Sequence, residues 1–361
     1  MIAVEHFLLS VAMWFGLYLI VTLSLNLEFG YCGVPNFGRS LAVLIGGLAV
    51  GAIVNRIFIA LFGVTGDIIS ASATVKSILD PMIMKNPLLG LGIFILMLTV
   101  AAAMGYIVGI LSALPSARLR EFYLAITFFA IACVIFDICR RTTSIAGGYF
   151  SINVPNVLAY IAGAQRFVVS TLIILGTALI IYLIVHKLTD SPYGRMLKMI
   201  RENELVAKTF GRNIMMSRVK VVAIGSSIAA IGGALYTSMT LSFRTDDFSI
   251  VLWTFYPWLI MLLGGLGNNL GIALGTLIVV LIRTLLTIYK YDIVTLLKIP
   301  FDPAWFEYIL FGTILILIIM FRPEGIVPEK PILTEPLKRL KSKQHSTKSS
   351  SPSSVTSKRS K

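Results

Sequence analysis

Charged residues are scarce in this chain of 361 residues: they make up 13% of it, against 57% hydrophobic residues and a mean hydropathy of +0.88. A soluble domain needs more polar surface than this. Cysteine and histidine number three each, without metal-ligand or disulfide spacing, so we expect no metal site and no bound cofactor. The G-x-x-x-x-G-K-[ST] loop and clustered His, Asp or Glu at membrane depth are also missing, so we do not expect an enzyme.

What the chain has instead is a series of long apolar runs, several near the roughly 18–20 residues that cross a bilayer. They predict an all-α, polytopic membrane helical bundle with about nine (8–10) transmembrane helices. The predicted spans are residues 7–27, 41–63, 87–114, 122–139, 167–186, 221–240, 251–266, 270–288 and 306–321.

Basic residues are concentrated outside these runs. Segment 322–361 holds ten Lys or Arg against three Glu, and segment 187–220 holds eight against three acidic residues, which accounts for most of the net charge of +14. Cytoplasmic loops of membrane proteins carry such an excess. We therefore predict a multi-pass plasma-membrane protein with its N-terminus outside and its C-terminus cytoplasmic. No nucleic-acid motif accompanies the charge, so no nucleic-acid partner is expected.

The composition also divides the chain. Residues 1–326 read as the transmembrane domain, with 187–220 as its largest cytoplasmic segment. Residues 327–361 are basic and Ser-rich with nothing to bury, which predicts a disordered cytoplasmic tail.

Two Gly-rich stretches interrupt the apolar pattern, at residues 30–38 and 264–275. Non-helical backbone at membrane depth survives where it is buried in protein or lines a cavity, so such breaks point to a transport path. Tight turns between closely packed helices explain them equally well. On the first reading the path candidates are Tyr31, Asn36, Gly264, Gly265 and Gly267.

Charges inside the predicted spans are few and include Arg56, Asp137 and Arg283, all towards the predicted outer ends. No acidic residue lies at the midplane, where proton-driven carriers keep one. Asp137 has two readings: a helical ion pair with Arg140 or Arg141, or a path residue at the outer mouth.

The most strongly patterned polar stretch is residues 190–211. Asp190 or Ser191 can cap a helix that has proline at its first position, and Gly211 can end the following helix in a left-handed conformation. Met196, Ile200 and Leu205 are candidates for one apolar face. A capped amphipathic helix beside the membrane suits docking into a partner's groove or lying on the lipid surface.

Four motifs in order over residues 20–326 resemble the LivM-type permease subunit of branched-chain amino acid ABC importers: residues 25–40, 191–236, 262–275 and 321–326. The strongest is SPYGRMLKMIRENELVAKTFG, similar to the family's G-R-x-x-x-x-I-R-E-x-E-x-x-A-x-x-x-G pattern. The residues of that pattern, which the resemblance assigns to coupling with the ATPase, are Gly194, Arg195, Arg201, Glu202, Glu204, Ala207 and Gly211.

The resemblance implies a type II-like importer permease working by alternating access, with branched-chain amino acids as cargo. It implies as partners a second homologous permease, two ATP-binding subunits that hold ATP and Mg, an extracytoplasmic substrate-binding protein and the lipid bilayer. One stretch departs from the family: T-G-G-S-D-G-L is replaced by residues 144–151, SIAGGYFS, of which only Gly147 and Gly148 match as path candidates.

Other readings stay open on the sequence. An ABC permease for urea, amides or nucleosides would have the same features. A stand-alone secondary carrier or channel would transport without ATPase subunits, and the missing midplane charge speaks against it.

Overall fold

The computed structural model describes residues 2–117, 119, 121–161, 163–296, 303–322 and 324–329. Within them are fourteen α-helices: α1 Ile2–Leu25, α2 Arg39–Leu48, α3 Asn55–Phe62, α4 Ile68–Lys85, α5 Pro87–Ala113, α6 Glu121–Arg141, α7 Thr143–Ala146, α8 Ala164–Asp190, α9 Pro192–Glu202, α10 Glu204–Thr209, α11 Ile214–Thr240, α12 Tyr256–Gly264, α13 Asn269–Leu296 and α14 Pro303–Phe321. Three π-helical segments, Asn26–Tyr31, Ala49–Val54 and Val251–Phe255, adjoin α1, α2 and α12.

Eight helical stretches are long and apolar enough to cross a membrane: Glu5–Tyr31, Arg39–Phe62, Pro87–Ala113, Phe122–Arg141, Gln165–Asp190, Ile214–Thr240, Thr245–Gly264 and Asn269–Tyr289. A ninth apolar helix, Glu307–Phe321, is shorter. These nine correspond to the nine predicted spans, including the separation of residues 251–266 from 270–288. The prediction of an all-α, polytopic helical bundle is confirmed.

The stretch predicted as an outer loop, residues 64–86, contains a helix that the hydropathy pattern did not reveal. α4 begins after Asp67, whose carboxylate accepts a hydrogen bond from the Ile68 amide at 2.9 Å. Its Ser, Thr and Lys residues keep its hydropathy low. It is held by one apolar face, on which Val75 and Ile83 are fully buried.

The centre of the bundle is α11, which packs against α5 and α2 through small residues. A methyl group on Gly46 of α2 would lie 1.9 Å from the carbonyl oxygen of Ala230, and one on Gly233 would lie 1.9 Å from that of Val43. Glycine at both positions therefore lets the two backbones touch, as small residues do in membrane helix pairs.

The helices have two ends that matter below. At one end, called the α9 end, α8 leads directly into α9, and the π-helical segment Asn26–Tyr31 contacts α9. At the opposite end the short strands β1 Ile152–Asn153 and β2 Ser242–Phe243 pair antiparallel.

The residues group into two compact units, Met1–Pro328 and Glu329–Lys361. The first contains the helical bundle, including Val327, whose amide donates to the Gly264 carbonyl at 3.1 Å. Of the second, only Glu329 is described, so the predicted disorder of the tail lies almost wholly outside the described residues.

Candidate functional site

The first feature of the α9 end is a buried amide that joins the two Gly-rich breaks. Asn26 opens the π-helical segment of the first span, and π-helical turns are frequent at functional sites. Its Nδ2 donates to Asn269 Oδ1 at 3.0 Å, and its Oδ1 accepts from the Gly267 amide at 3.0 Å. Two stretches that are 241 residues apart in sequence are thus joined by hydrogen bonds.

The same network reaches the start of α9. Asn269 Nδ2 donates to Thr189 Oγ1 at 3.0 Å, in the last turn of α8. Two residues after α9 begins, a methyl group on Gly194 would lie 2.0 Å from the Thr189 carbonyl oxygen. Glycine at 194 is therefore required by the tight passage from α8 into α9.

A buried ion pair lies beside this network. Glu28 and Arg39 have 0% exposed side chains, and Arg39 Nη1 lies 2.5 Å from Glu28 Oε1. Asn36 Nδ2 donates to Glu28 Oε2 at 2.9 Å, and Arg39 Nη2 donates to Ser226 Oγ at 3.1 Å. Burying two charges is costly unless hydrogen bonds satisfy them, so these contacts hold the end of the first span, α2 and α11 in one arrangement.

The position of this pair corrects a prediction. The predicted spans 7–27 and 41–63 leave residues 28–40 between them as a loop. Instead, Glu28 lies within the helix of the first span, and Arg39 is the first residue of α2. Gly225 makes room for the carboxylate, since a methyl group there would lie 2.1 Å from Glu28 Oε1.

α9 is fastened to the segment that carries Glu28. The Arg201 guanidinium donates to the Gly30 carbonyl, and the Lys198 ammonium lies 5.1 Å from the centre of the Tyr31 ring. Gly33, at φ +74°, lets the chain turn away directly beneath Arg201. A displacement of α9 therefore acts on Gly30, two residues from the buried carboxylate.

The ends of α9 and α10 are as predicted. Ser191 Oγ accepts from the Tyr193 amide at 3.2 Å, and Pro192 occupies the first helical position. Gly211 has φ +70° after α10. An additional cap was not foreseen: the Asn203 side chain accepts from the Leu205 and Val206 amides in the first turn of α10, which begins a new helix.

Of the predicted apolar face, Met196 and Ile200 do contact the core, and only Leu205 does not. α9 turns Gly194, Leu197 and Ile200 towards the bundle, where they are buried. The extended conformation at Asn203 then reorients the chain. Leu205 consequently does not continue that face and is 72% exposed.

The seven coupling candidates fall into two groups. Those that hold the segment in place are Gly194 and Arg201, described above, together with Glu204 paired with Arg218, the fully buried Ala207 and the turn residue Gly211. Those that point away are Arg195 and Glu202, of which the Glu202 side chain is 73% exposed.

Outward-facing apolar side chains accompany the second group. Leu205, Val206 and Phe210 are 72%, 42% and 71% exposed. We call these three residues with Arg195 and Glu202 the α10 surface. This surface exposes apolar side chains beside one positive and one negative charge. Such a surface is more favourably buried in the groove of a partner protein than exposed to water.

Two titratable groups near this hydrogen-bond network, the Cys32 thiol and the Tyr193 phenol, lie outside the membrane-spanning segments. Burial raises the pKa of the Cys32 thiol to about 12, and burial also raises the pKa of the Tyr193 phenol to about 12. Both groups therefore stay neutral at physiological pH, and Cys32 has no thiolate available for nucleophilic chemistry. Among the described residues no group of three His, Cys, Asp or Glu could hold a metal ion.

The predicted path residues do not form one site. Tyr31, Asn36, Gly264, Gly265 and Gly267 lie at the α9 end, where the last three form a tight turn. Gly265 and Gly267 have φ +110° and +69°, and a methyl group on Gly265 would lie 2.3 Å from the Val327 carbonyl oxygen. The turn alone explains these glycines, and their part in a path stays a prediction.

Gly147, Gly148 and Asp137 lie at the opposite end. Both glycines are buried and have positive φ, +75° and +63°, in the turn that follows α7. Asp137 is exposed on α6. Among the described residues neither predicted pair, with Arg140 or with Arg141, is formed, and Arg140 Nε lies 3.1 Å from Asp246 Oδ1 instead.

Sequence reasoning missed the polar side chains that connect the segments: Asn26, Glu28, Arg39, Thr189, Ser226 and Asn269. The available signal was polar residues at the edges of apolar runs within the matched motifs. Nothing in the sequence specified which of them would meet.

The chain is also similar in sequence to known proteins. The sequence profile of a family described as "Branched-chain amino acid transport system / permease component" matches residues 7–319. The chain is 47% identical over 329 residues to the probable branched-chain amino acid transport permease protein LivM of Methanocaldococcus jannaschii, covering 91% of this chain and 95% of that protein. It is 22% identical to the high-affinity LivM permeases of Salmonella typhimurium and Escherichia coli, over 68% and 71% of this chain and 58% and 61% of theirs.

No solved structure matches the chain. The profile nevertheless covers most of its length, and the archaeal relative covers nearly all of it. The LivM-type resemblance is therefore confirmed. With its helices spanning a membrane several times, the chain belongs to the family of branched-chain amino acid transport permeases.

Proposed function

We propose that this chain is one of two permease subunits of an ABC importer for branched-chain amino acids. Its partners are a second homologous permease, two ATP-binding subunits and an extracytoplasmic substrate-binding protein. The chain itself has no ATPase site, and ATP and Mg are bound by the partner subunits. The relatives described above are named as permeases for branched-chain amino acids, which supports this cargo.

The observation that carries the proposal is the attachment of α9. One side of the α9–α10 segment is fixed to the bundle by Arg201 and Ala207, while the other side exposes the α10 surface. A segment anchored on one face and apolar on the other fits transmission of force from a partner.

The mechanism follows from the contacts. Closure of the ATPases displaces α9 and α10. Arg201 passes this displacement to Gly30 in the π-helical segment, and the Glu28–Arg39 pair passes it to α2 and α11. Because these helices meet in close backbone contact at Gly46 and Gly233, they move as packed bodies, which is the basis of alternating access.

The membrane orientation belongs to the same proposal. The α9 end faces the cytoplasm of a plasma membrane, since segment 187–220 carries eight basic against three acidic residues. The N-terminus then lies outside and the C-terminus inside. The strand pair β1–β2 and Asp137 face the side of the binding protein.

The test of ATPase docking uses Phe210→Ala. Truncating an aromatic side chain at the centre of a protein interface costs about 2 kcal/mol or more, which weakens binding about 30-fold. We expect less ATPase to co-purify with the variant from detergent. The matched control is Phe150→Ala, an aromatic residue that is 64% exposed at the opposite end.

Phe150→Ala should leave ATPase co-purification unchanged. Equal co-purification of ATPase by both variants and the wild type would contradict docking at the α10 surface. Thermal unfolding of each variant checks that exposed truncations leave the bundle folded.

A second prediction separates docking from transmission. Arg201→Ala removes the donor to Gly30 on the inner side of α9, so the complex should assemble and hydrolyse ATP but accumulate less substrate per ATP. Glu202→Ala, on the outer side, should instead weaken assembly. Wild-type coupling in Arg201→Ala, measured as uptake divided by ATP hydrolysis in proteoliposomes, would remove Arg201 from the mechanism.

A further inference from the structure

α6 is a membrane-spanning helix with little covering from the rest of the chain. In the most apolar part of this helix 28% of the residues are buried, the same share as in α5, against 72% for the span Arg39–Phe62. Large side chains stand out from it: Phe122, Tyr123, Ile126, Val134 and Ile138 are between 47% and 72% exposed. Such a surface meets either lipid or another membrane protein.

Asp137 lies on this exposed surface. It is four residues from the end of the span Phe122–Arg141, which is about 6 Å along the helix axis at 1.5 Å per residue. Burial of a carboxylate in hydrocarbon costs roughly 2.5–3.5 kcal/mol at the bilayer centre and less towards the surface. Ionisable residues in spans therefore face protein or water.

Three other carboxylates of the helical bundle have arginine partners. Glu28 meets Arg39 at 2.5 Å, Asp246 meets Arg140 at 3.1 Å and Glu307 meets Arg283 at 3.3 Å. Across the described parts of the chain, no ion pair or side-chain hydrogen bond of Asp137 is found.

Two arginines lie at helical spacing from Asp137; among the described residues Arg141 is exposed and forms no ion pair with it, and Arg140 is engaged elsewhere. Arg140, three residues on, lies against Asp246 and over the Tyr149 ring at 5.0 Å from its centre. Asp137 is thus exposed and has no arginine partner among the described residues.

The residues in line with Asp137 have the spacing of a helix–helix contact. Tyr123, Ala130 and Asp137 are seven apart, and Ile126 and Cys133 lie between them at the intermediate positions. We call these five residues the Asp137 face. Ala130 and Cys133 on this face are small, which lets a second helix approach closely within a membrane.

A second copy of this chain fits the Asp137 face poorly. A two-fold axis along the membrane normal places identical residues at the same depth. Two Asp137 carboxylates would then meet on one seam, and like charges repel. A different chain can instead offer a hydrogen-bond donor at that depth.

We propose that the Asp137 face binds a transmembrane helix of the second, non-identical permease subunit. That helix presents a basic, amide or hydroxyl side chain to Asp137. The identity of the partner rests on the proposed function, whereas the location of the interface rests on α6 alone.

The test measures co-purification of the second permease with this chain from the co-expressed complex. Ala130→Trp puts a large side chain on the exposed middle of the face, and Asp137→Leu removes the carboxylate. We expect each to lower recovery of the second permease at least about tenfold, which corresponds to about 1.4 kcal/mol. The matched control is Ala103→Trp, at an exposed alanine of α5, which should leave recovery unchanged.

The measured recoveries distinguish the proposed interface from a lipid-facing α6 and from a homodimer. Wild-type recovery by both Ala130→Trp and Asp137→Leu overturns the inference and leaves α6 facing lipid. Oxidative crosslinking of Cys133 into a dimer of this chain overturns it in favour of a homodimer. Asp137→Asn provides a variant that keeps polarity, and its recovery should lie between those of Asp137→Leu and the wild type.

Failure of the proposed function gives a different result. A wild-type chain that purifies without any second permease would overturn the proposed function, and the inference with it. A wild-type chain that holds a second permease, with variants that hold it equally, overturns the inference alone. Thermal unfolding of the isolated chain confirms that each variant is folded.

Discussion

Replacing Arg39 with methionine should leave little folded protein. The change keeps the side-chain length but leaves the Glu28 carboxylate buried, at 0% exposure, without its cation. Removing one partner of a buried pair costs about 3–5 kcal/mol, a large part of the stability of most proteins. The measurement is thermal unfolding of the purified chain in detergent, with Glu5→Gln, at an exposed carboxylate, as the control.

The double variant Arg39→Met with Glu28→Leu makes this test specific. Replacing both charges by apolar side chains of similar size is often neutral for stability. We expect the double variant to recover most of the unfolding temperature but not transport, because the link from the π-helical segment to α2 and Ser226 is lost. An Arg39→Met variant as stable as Glu5→Gln would contradict the buried pair, and normal uptake by the double variant would contradict its role in transmission.

The second large effect is expected at the contact of α2 with α11. Gly46→Ala places a methyl group 1.9 Å from the Ala230 carbonyl oxygen, so the two helices must separate. Overpacking of this kind costs about 1–3 kcal/mol, and a clash with backbone leaves no side chain that can move aside. Gly233→Ala, which meets the Val43 carbonyl at 1.9 Å, should behave alike.

The control for these variants is Gly176→Ala in α8, where a methyl group would meet nothing within 4 Å. Alanine there should raise stability by about 0.5–1 kcal/mol, because glycine is a weak helix former. Thermal unfolding of the variants should therefore move in opposite directions. If Gly46→Ala raised the unfolding temperature as Gly176→Ala does, the close contact would be ruled out.

The sequence predicted the helices of this protein well because hydropathy is a local property. Nine apolar runs gave nine helices, and the Ser191 cap with Pro192 marked the start of α9. α4 was missed because its polar face lowers its mean hydropathy. Its helical form depends on packing by Val75 and Ile83, which a sequence window does not reveal.

The candidate site was only partly predictable, because its contacts are between distant segments. The strongest motif identified Arg201, but nothing local indicated that its partner would be the Gly30 carbonyl, 171 residues away. Glu28 and Arg39 read as loop residues, since a hydropathy window counts charges without knowing that they neutralise each other.

Local reasoning also failed where two partners compete. Helical spacing offered Arg140 or Arg141 as the partner of Asp137, yet the fold places Asp246 beside Arg140. The choice was made by the turn before α12, far from α6 in sequence. The partner that Arg140 takes can therefore be determined only from the tertiary structure.

The central claim is that this chain moves branched-chain amino acids only as part of an ATP-driven assembly. The most direct measurement is accumulation of labelled leucine by proteoliposomes that contain both permeases and enclose the ATPases with ATP, with binding protein outside. We predict accumulation that stops when this chain is omitted and when ATP is replaced by a non-hydrolysable analogue. Leucine movement by this chain without the ATPases, or accumulation of urea or nucleosides in place of leucine by the complete assembly, would contradict the account.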